Sequence, residues 1–160
     1  MRAVVWEGVL MGSSYEWKTP KTDWKTSYDD KGGYCGDYFE PDDYNRIKNN
    51  LYYLRDLADA LYESQIALED MGEDVYYGCE REFFATMLTR CQTNLDKINA
   101  GTRNIDLGET VSFYPNQPGY LVDELNRIEK MSLLLYRLLR GQADNKPRLS
   151  YRLGNRGGII

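Results

Sequence analysis

A chain of 160 residues has room for one domain. It carries no histidine, which removes Ser-His-Asp and Cys-His catalysis and any His-bearing zinc or non-heme iron site within the chain. An apolar share of 42% excludes wholesale disorder, and a net charge of −5 argues against a nucleic-acid binder.

Residues 1–39 read as an extended arm. Gly8, Gly12, Pro20, Gly32, Gly33 and Gly36 interrupt any helical period, and aromatic residues are scattered between them. A short strand is expected near 3–9. The chain meets Glu7 after the short apolar stretch 3–6, too soon for a secretory segment, and no long apolar run follows. Synthesis in the cytoplasm and no membrane span are the expectations.

The first helix is expected over 41–71. Pro41 suits a first helical position, and Asp42 and Asp43 complement the positive end of the helix dipole. Tyr44, Ile47, Leu51, Leu54, Ala58, Leu61 and Leu68 then recur at helical spacing, with Gly72 expected past the C-cap. A second helix is expected over 79–100, with Phe84, Leu88, Cys91, Leu95 and Ile98 on one face. After a connector holding a possible strand at 109–114, a third helix is expected over 120–140 on Leu121, Leu125, Ile128, Leu135 and Leu139, ending at Gly141. The residues after it, 142–160, read as a basic arm. The fold class is mainly α, a three-helix bundle-like body at 40–141 between extended N- and C-terminal arms, with minor β.

Charge is segregated along the chain. Six acids against Lys31 give 29–43 a local charge of −5, and six bases against Asp144 give 137–160 a local charge of +5. Such ends can pair within a chain or between neighbouring copies. A second pattern is an echo: D-D-Y-N-R-I at 42–47 resembles D-E-L-N-R-I at 123–128, and either chance or a duplicated helix hairpin accounts for it. In both stretches Asn45 and Arg46, and Asn126 and Arg127, sit one turn into a helix. Asn can bond a neighbouring loop backbone and Arg can fork to a carboxylate, so these four are assigned a structural role at helix starts.

The candidate chemistry is sparse. Cys35, Cys79 and Cys91 are odd in number and lack a C-x-x-C pair, so free thiols are expected, with Cys91 a small buried hydrophobe. The acidic loop from Asp29 misses the calcium-loop ligands at positions three and five in either register. Paired acids such as Glu80 and Glu82 fall at helix starts, where the dipole accounts for them. No catalytic residue, cofactor or metal is therefore assigned. Tyr outnumbers Phe by 14 to 4, which points to rings covered partly by a partner. The candidate partner-binding residues are Trp6, Trp17, Trp24, Tyr28 and Tyr38 of the arm, with Arg148, Arg152 and Arg156 of the tail. The arm rings could instead stack on sugars or fold back on the chain's own helices.

W-K-T-P-K-T-D-W at 17–24, Asp37-Tyr-Phe39, D-Y-N-R-I-K-N-N at 43–50 and L-N-R-I-E at 125–129 occur in this order. Together they resemble a family of small structural proteins of tailed bacteriophages, and prophages, of Gram-positive bacteria. The resemblance covers roughly 17–140; the loop at 32–36 has no counterpart in it. It implies a non-enzymatic virion protein of the tail, baseplate, neck or fibre, a homo-oligomer whose partners are copies of itself and neighbouring virion proteins. The alternatives are a receptor- or carbohydrate-binding tail tip and an intracellular helical adaptor.

Overall fold

The computed structural model describes residues 13–78, 85–112 and 121–154. It holds three helices, α1 Pro41–Tyr62, α2 Ala85–Ala100 and α3 Leu121–Gly154, so the protein is mainly α. Among the described residues the only β pairing is an isolated antiparallel bridge between Tyr28 and Tyr34. The expected strand at 3–9 lies outside the described residues. Residues 109–112 carry no strand, and the rest of that expected strand lies outside as well.

Each helix packs against the other two around one core. Tyr44, Leu51 and Leu54 of α1, Leu95 and Ile98 of α2, and Leu125, Ile128, Leu135 and Leu139 of α3 are essentially inaccessible. Each such side chain contributes about 1.5–3 kcal/mol by leaving water. Cys91 lies in this core at 0% exposure.

Contacts along the helices show that all three run the same way. The first turns of α1 meet the first turns of α3 through Arg46 and Glu129, and the end of α1 meets α3 through Tyr62 and Gln142. Gln92 of α2 bonds Glu124 at the start of α3. At the other end, Gly101, just past α2, sits against Ile66, which follows α1. Parallel helices need return segments, and three extended straps supply them. Strap 1 (13–24) descends from Trp17, beside Tyr53 and Tyr136, to Trp24, beside Asn126. Strap 2 (63–78) descends between α1 and α2, and strap 3 (101–112) between α2 and α3. The chain is thus three strap-and-helix units, and the echo at 42–47 and 123–128 marks equivalent helix starts in the first and third. A duplicated helix hairpin is incompatible with helices that run parallel.

Two helix ends differ from the expected ones. α1 stops at Tyr62, not at 71, because Glu63 turns into the left-handed region at φ 52°. The Asp59 carboxylate then takes the Ser64 hydroxyl (3.3 Å) and the Ile66 N–H (3.0 Å), redirecting the chain. Leu68, which kept the helical spacing in sequence, belongs to strap 2, as does the buried Met71. In contrast, α3 does not stop at 140. It passes through Gly141, where the space about an added Cβ is empty, and through Pro147, whose missing N–H forgoes one bond of the ladder. The expected basic arm at 142–160 is therefore helical as far as Gly154. α2 begins at Ala85, and the expected start at 79–84 lies outside the described residues.

Candidate functional site

The polar residues of the helices hold the straps. Five asparagines each close a pair of hydrogen bonds on the backbone of one strap residue, accepting from its N–H and donating to its carbonyl. Asn50 holds Lys18 (2.9 and 2.7 Å) and Asn126 holds Trp24 (2.9 and 3.0 Å). Asn45 holds Val75 (2.8 and 2.6 Å) and Asn94 holds Glu69 (2.7 and 2.9 Å). Asn99 holds Ile105 (2.9 and 2.7 Å). The amide mimics a neighbouring β-strand, satisfying backbone groups that would be costly to bury unpaired. Asn45 and Asn50 are five residues apart, as are Asn94 and Asn99, which rotates the second side chain about 140° from the first. One helix thereby serves the strap on either side of it. Tyr44 and Tyr52 add to strap 2 by bonding the Met71 carbonyl and N–H.

The two arginines of the echo complete the pattern. Arg46 pairs with Asp43 at 2.7 Å and also reaches Glu129 at 2.6 Å. Arg127 pairs with Glu124 and donates to the Leu107 carbonyl of strap 3 at 3.1 Å. Glu129 is 1% exposed, and four donors converge on it: Arg46 Nε and Nη2, the Trp24 indole N–H and the Lys21 N–H. Burial opposes the charge on Arg46, but its bonds to Glu129 and Asp43 hold the guanidinium above its ordinary pKa. The carboxylate is fully used, and no oxygen is left to act on a substrate.

The candidate partner-binding residues therefore divide. Trp24 is 4% exposed, with the Lys21 ammonium 4.3 Å from its ring centre. Trp17 is stacked on Tyr136 at 4.1 Å, with the planes within 4°. Both fasten the arm to its own body; Trp24 is buried and Trp17 partly so. Trp6 and Arg156 lie outside the described residues. Arg148 and Arg152 are on the last turns of the α3 backbone. Tyr28 and Tyr38 are exposed, at 65% and 66%.

These two tyrosines flank Tyr34 in an edge-to-face row, with ring centres 5.4 and 5.3 Å apart. The row rides on a hairpin, 25–37, that projects beyond the starts of α1 and α3. Asp29 Oδ1 shapes its turn by accepting from the Lys31 and Gly33 N–H groups. At its base, Asp37 accepts from Lys21 Nζ and the Lys25 N–H, both at 2.7 Å, and these bonds hold its carboxyl below the usual range. Gly36 is packed so closely on the Lys25 carbonyl and the Tyr34 ring that a Cβ would come within 2.6 Å of them. Gly32 is needed for a different reason, its left-handed φ of 78°. Tyr76 and Tyr77, 69% and 68% exposed, extend the aromatic surface at this end, Tyr77 through a bond to Glu40.

At the opposite end, where α1 and α2 finish beside α3, lies a largely apolar groove of about 560 Å³. Leu61, Tyr62 and Leu138 line it, with Arg103 and Arg137 at its edge. Among the described residues, no group of three or more metal-ligating side chains is present, and no helix is long and apolar enough to cross a membrane.

Sequence reasoning reached Asn45, Arg46, Asn126 and Arg127 but missed Asn50, Asn94, Asn99, Glu124 and Glu129. The repeated five-residue spacing is the signal that could have found the three asparagines. No protein-family model, curated protein or solved structure matches this chain.

Proposed function

We propose that this chain is a non-enzymatic assembly module of a tailed-phage particle, a virion structural subunit of the tail, baseplate, neck or fibre that associates with copies of itself and with neighbouring virion proteins. The observation that carries the reading is the tyrosine row. Tyr28 and Tyr38 stand open to solvent on a body whose buried acids and arginines are spent on holding its own straps. Exposed aromatic residues on a rigid support are what protein interfaces use as anchors. The motifs at 17–24, 43–50 and 125–129 are the reason for placing the module in a phage particle. No nucleic acid, membrane or cofactor is part of the proposal.

The rival glycan-binding reading is weakened, because Trp24 is buried and one face of Trp17 is stacked on Tyr136. It rests instead on Tyr28 and Tyr38. Binding to a glycan array that is lost on Tyr28→Ala would favour it.

The deciding experiment is mass spectrometry of particles purified from a strain that carries the gene. Presence at a fixed copy number per particle is the expected result. Absence from particles, with the protein abundant in the cell extract, overturns the proposal.

A further inference from the structure

The hairpin and the groove lie at opposite ends of the bundle, about 33 Å apart along the 22 residues of α1. We infer that they are the two halves of one head-to-tail contact: the tyrosine hairpin of one copy seats in the α1–α3 end groove of the next. The inference deepens the assembly reading and rests on it.

Three observations point to a second copy as the occupant. The first is charge. The hairpin turn carries Asp29 and Asp30 against Lys31, with Lys25 the other cation of 25–37 at its base, and Glu40 and Asp42 are exposed behind it. In the groove, Arg103 and Arg137 have no hydrogen bond or ion pair among the described residues, and α3 carries Lys146, Arg148 and Arg152 onward from it. The second is chemistry. Largely apolar walls with Arg103 and Arg137 among the lining residues suit tyrosine rings flanked by carboxylates, and the groove is open enough for a hairpin to enter. The third is position. α1 ends level with Gln142, so the 12 residues of α3 beyond it continue about 18 Å past the other helices. That carries the α3 backbone alongside any hairpin seated in the groove.

A contact between different surfaces does not close on itself in a dimer. Each copy has one hairpin and one groove, so the product is a ring or a filament.

The test uses two double variants of the full chain, Tyr28→Ala with Tyr38→Ala and Arg103→Glu with Arg137→Glu. All four positions are exposed, and an unchanged melting temperature checks that each variant folds; Arg137→Gln serves if the reversal does not. Sedimentation velocity of the wild type should show a mass rising past dimer with concentration and falling at high salt. Each variant alone should be monomeric, with association weakened about tenfold or more. Mixed together, they should form one-to-one complexes and nothing larger, because the mixture contains one intact hairpin–groove pair per two chains. Wild-type assembly that neither variant disturbs overturns the inference and leaves the assembly reading standing. A wild type that stays monomeric at high micromolar concentration also overturns it, leaving particle mass spectrometry to judge the reading. Mixed variants that remain monomeric exclude the head-to-tail geometry.

Discussion

The Asn126 side chain closes a two-bond ring on the backbone of Trp24, 102 residues earlier in the chain, at 2.9 and 3.0 Å. This clamp sets where strap 1 ends and where the tyrosine hairpin begins. Asn126→Ala removes both bonds and leaves the Trp24 peptide group unsatisfied. The expected loss is about 2 kcal/mol, or about 4–8 °C in melting temperature. Asn45→Ala should cost a similar amount, and an exposed control such as Asp42→Ala much less. Thermal melts of the three variants are the check.

The buried pair Arg46–Glu129 predicts an asymmetry. Glu129→Gln leaves a guanidinium largely out of water with Asp43 as its only charged partner, and should cost about 3 kcal/mol. Replacing both members, Arg46→Met with Glu129→Met, should recover part of that loss. Urea titrations followed by Trp fluorescence would read both. Equal costs for the single and double variants would contradict the picture.

Acid should release the hairpin and strap 2. Lys21 and the Lys25 N–H hold the Asp37 carboxyl below the ordinary aspartate range, and Lys48 and Asn49 do the same for Asp74. A carboxyl whose folded pKa is depressed lends stability that is fully present above its unfolded pKa and is lost as pH falls through the folded one. Stability should therefore hold down to about pH 4, the ordinary aspartate value, and fall below it. Asp37→Asn should flatten the part of the decline reported by tyrosine and Trp24 fluorescence.

The two described cysteines should differ in reactivity. Cys35 is exposed, whereas burial among apolar side chains pushes the Cys91 thiol up to about 12. Brief alkylation at neutral pH, mapped by peptide mass spectrometry, should label Cys35 in the native protein. Cys91 should be labelled only after denaturant is added. Labelling of native Cys91 at the rate of Cys35 would show that the core opens readily.

Truncation after Asn145 should lower the helical signal. The nine α3 residues that follow it, up to Gly154, are about an eighth of the described helix. Ala143, the last buried residue among the described side chains of α3, remains. Circular dichroism should show that fractional loss, and sedimentation velocity should show weaker association once Lys146, Arg148, Arg152 and Arg156 are removed.

The sequence by itself determined the three apolar stripes, the helix start at Pro41 and the burial of Cys91. These depend on spacing and local preference, and residues three and four apart share a helix face wherever the helix is put. It also marked Asn45 and Asn126 as able to hold a backbone, although not which one. Only the tertiary structure decided that the helices run parallel and that Trp17 and Trp24 are tied down while Tyr28 and Tyr38 are left open. It also decided that Leu68 and Met71 serve a strap. The reason is that a strap's partners lie on helices up to 108 residues away. A residue such as Leu68 satisfies a helical period and a strap contact equally well, until Asp59 captures the chain at Ile66. Gly141 and Pro147 show the converse. Each is a local stop signal, at a cost of about 1 and 3 kcal/mol respectively in a helix interior. The buried turns of α3 that precede them carry the helix through.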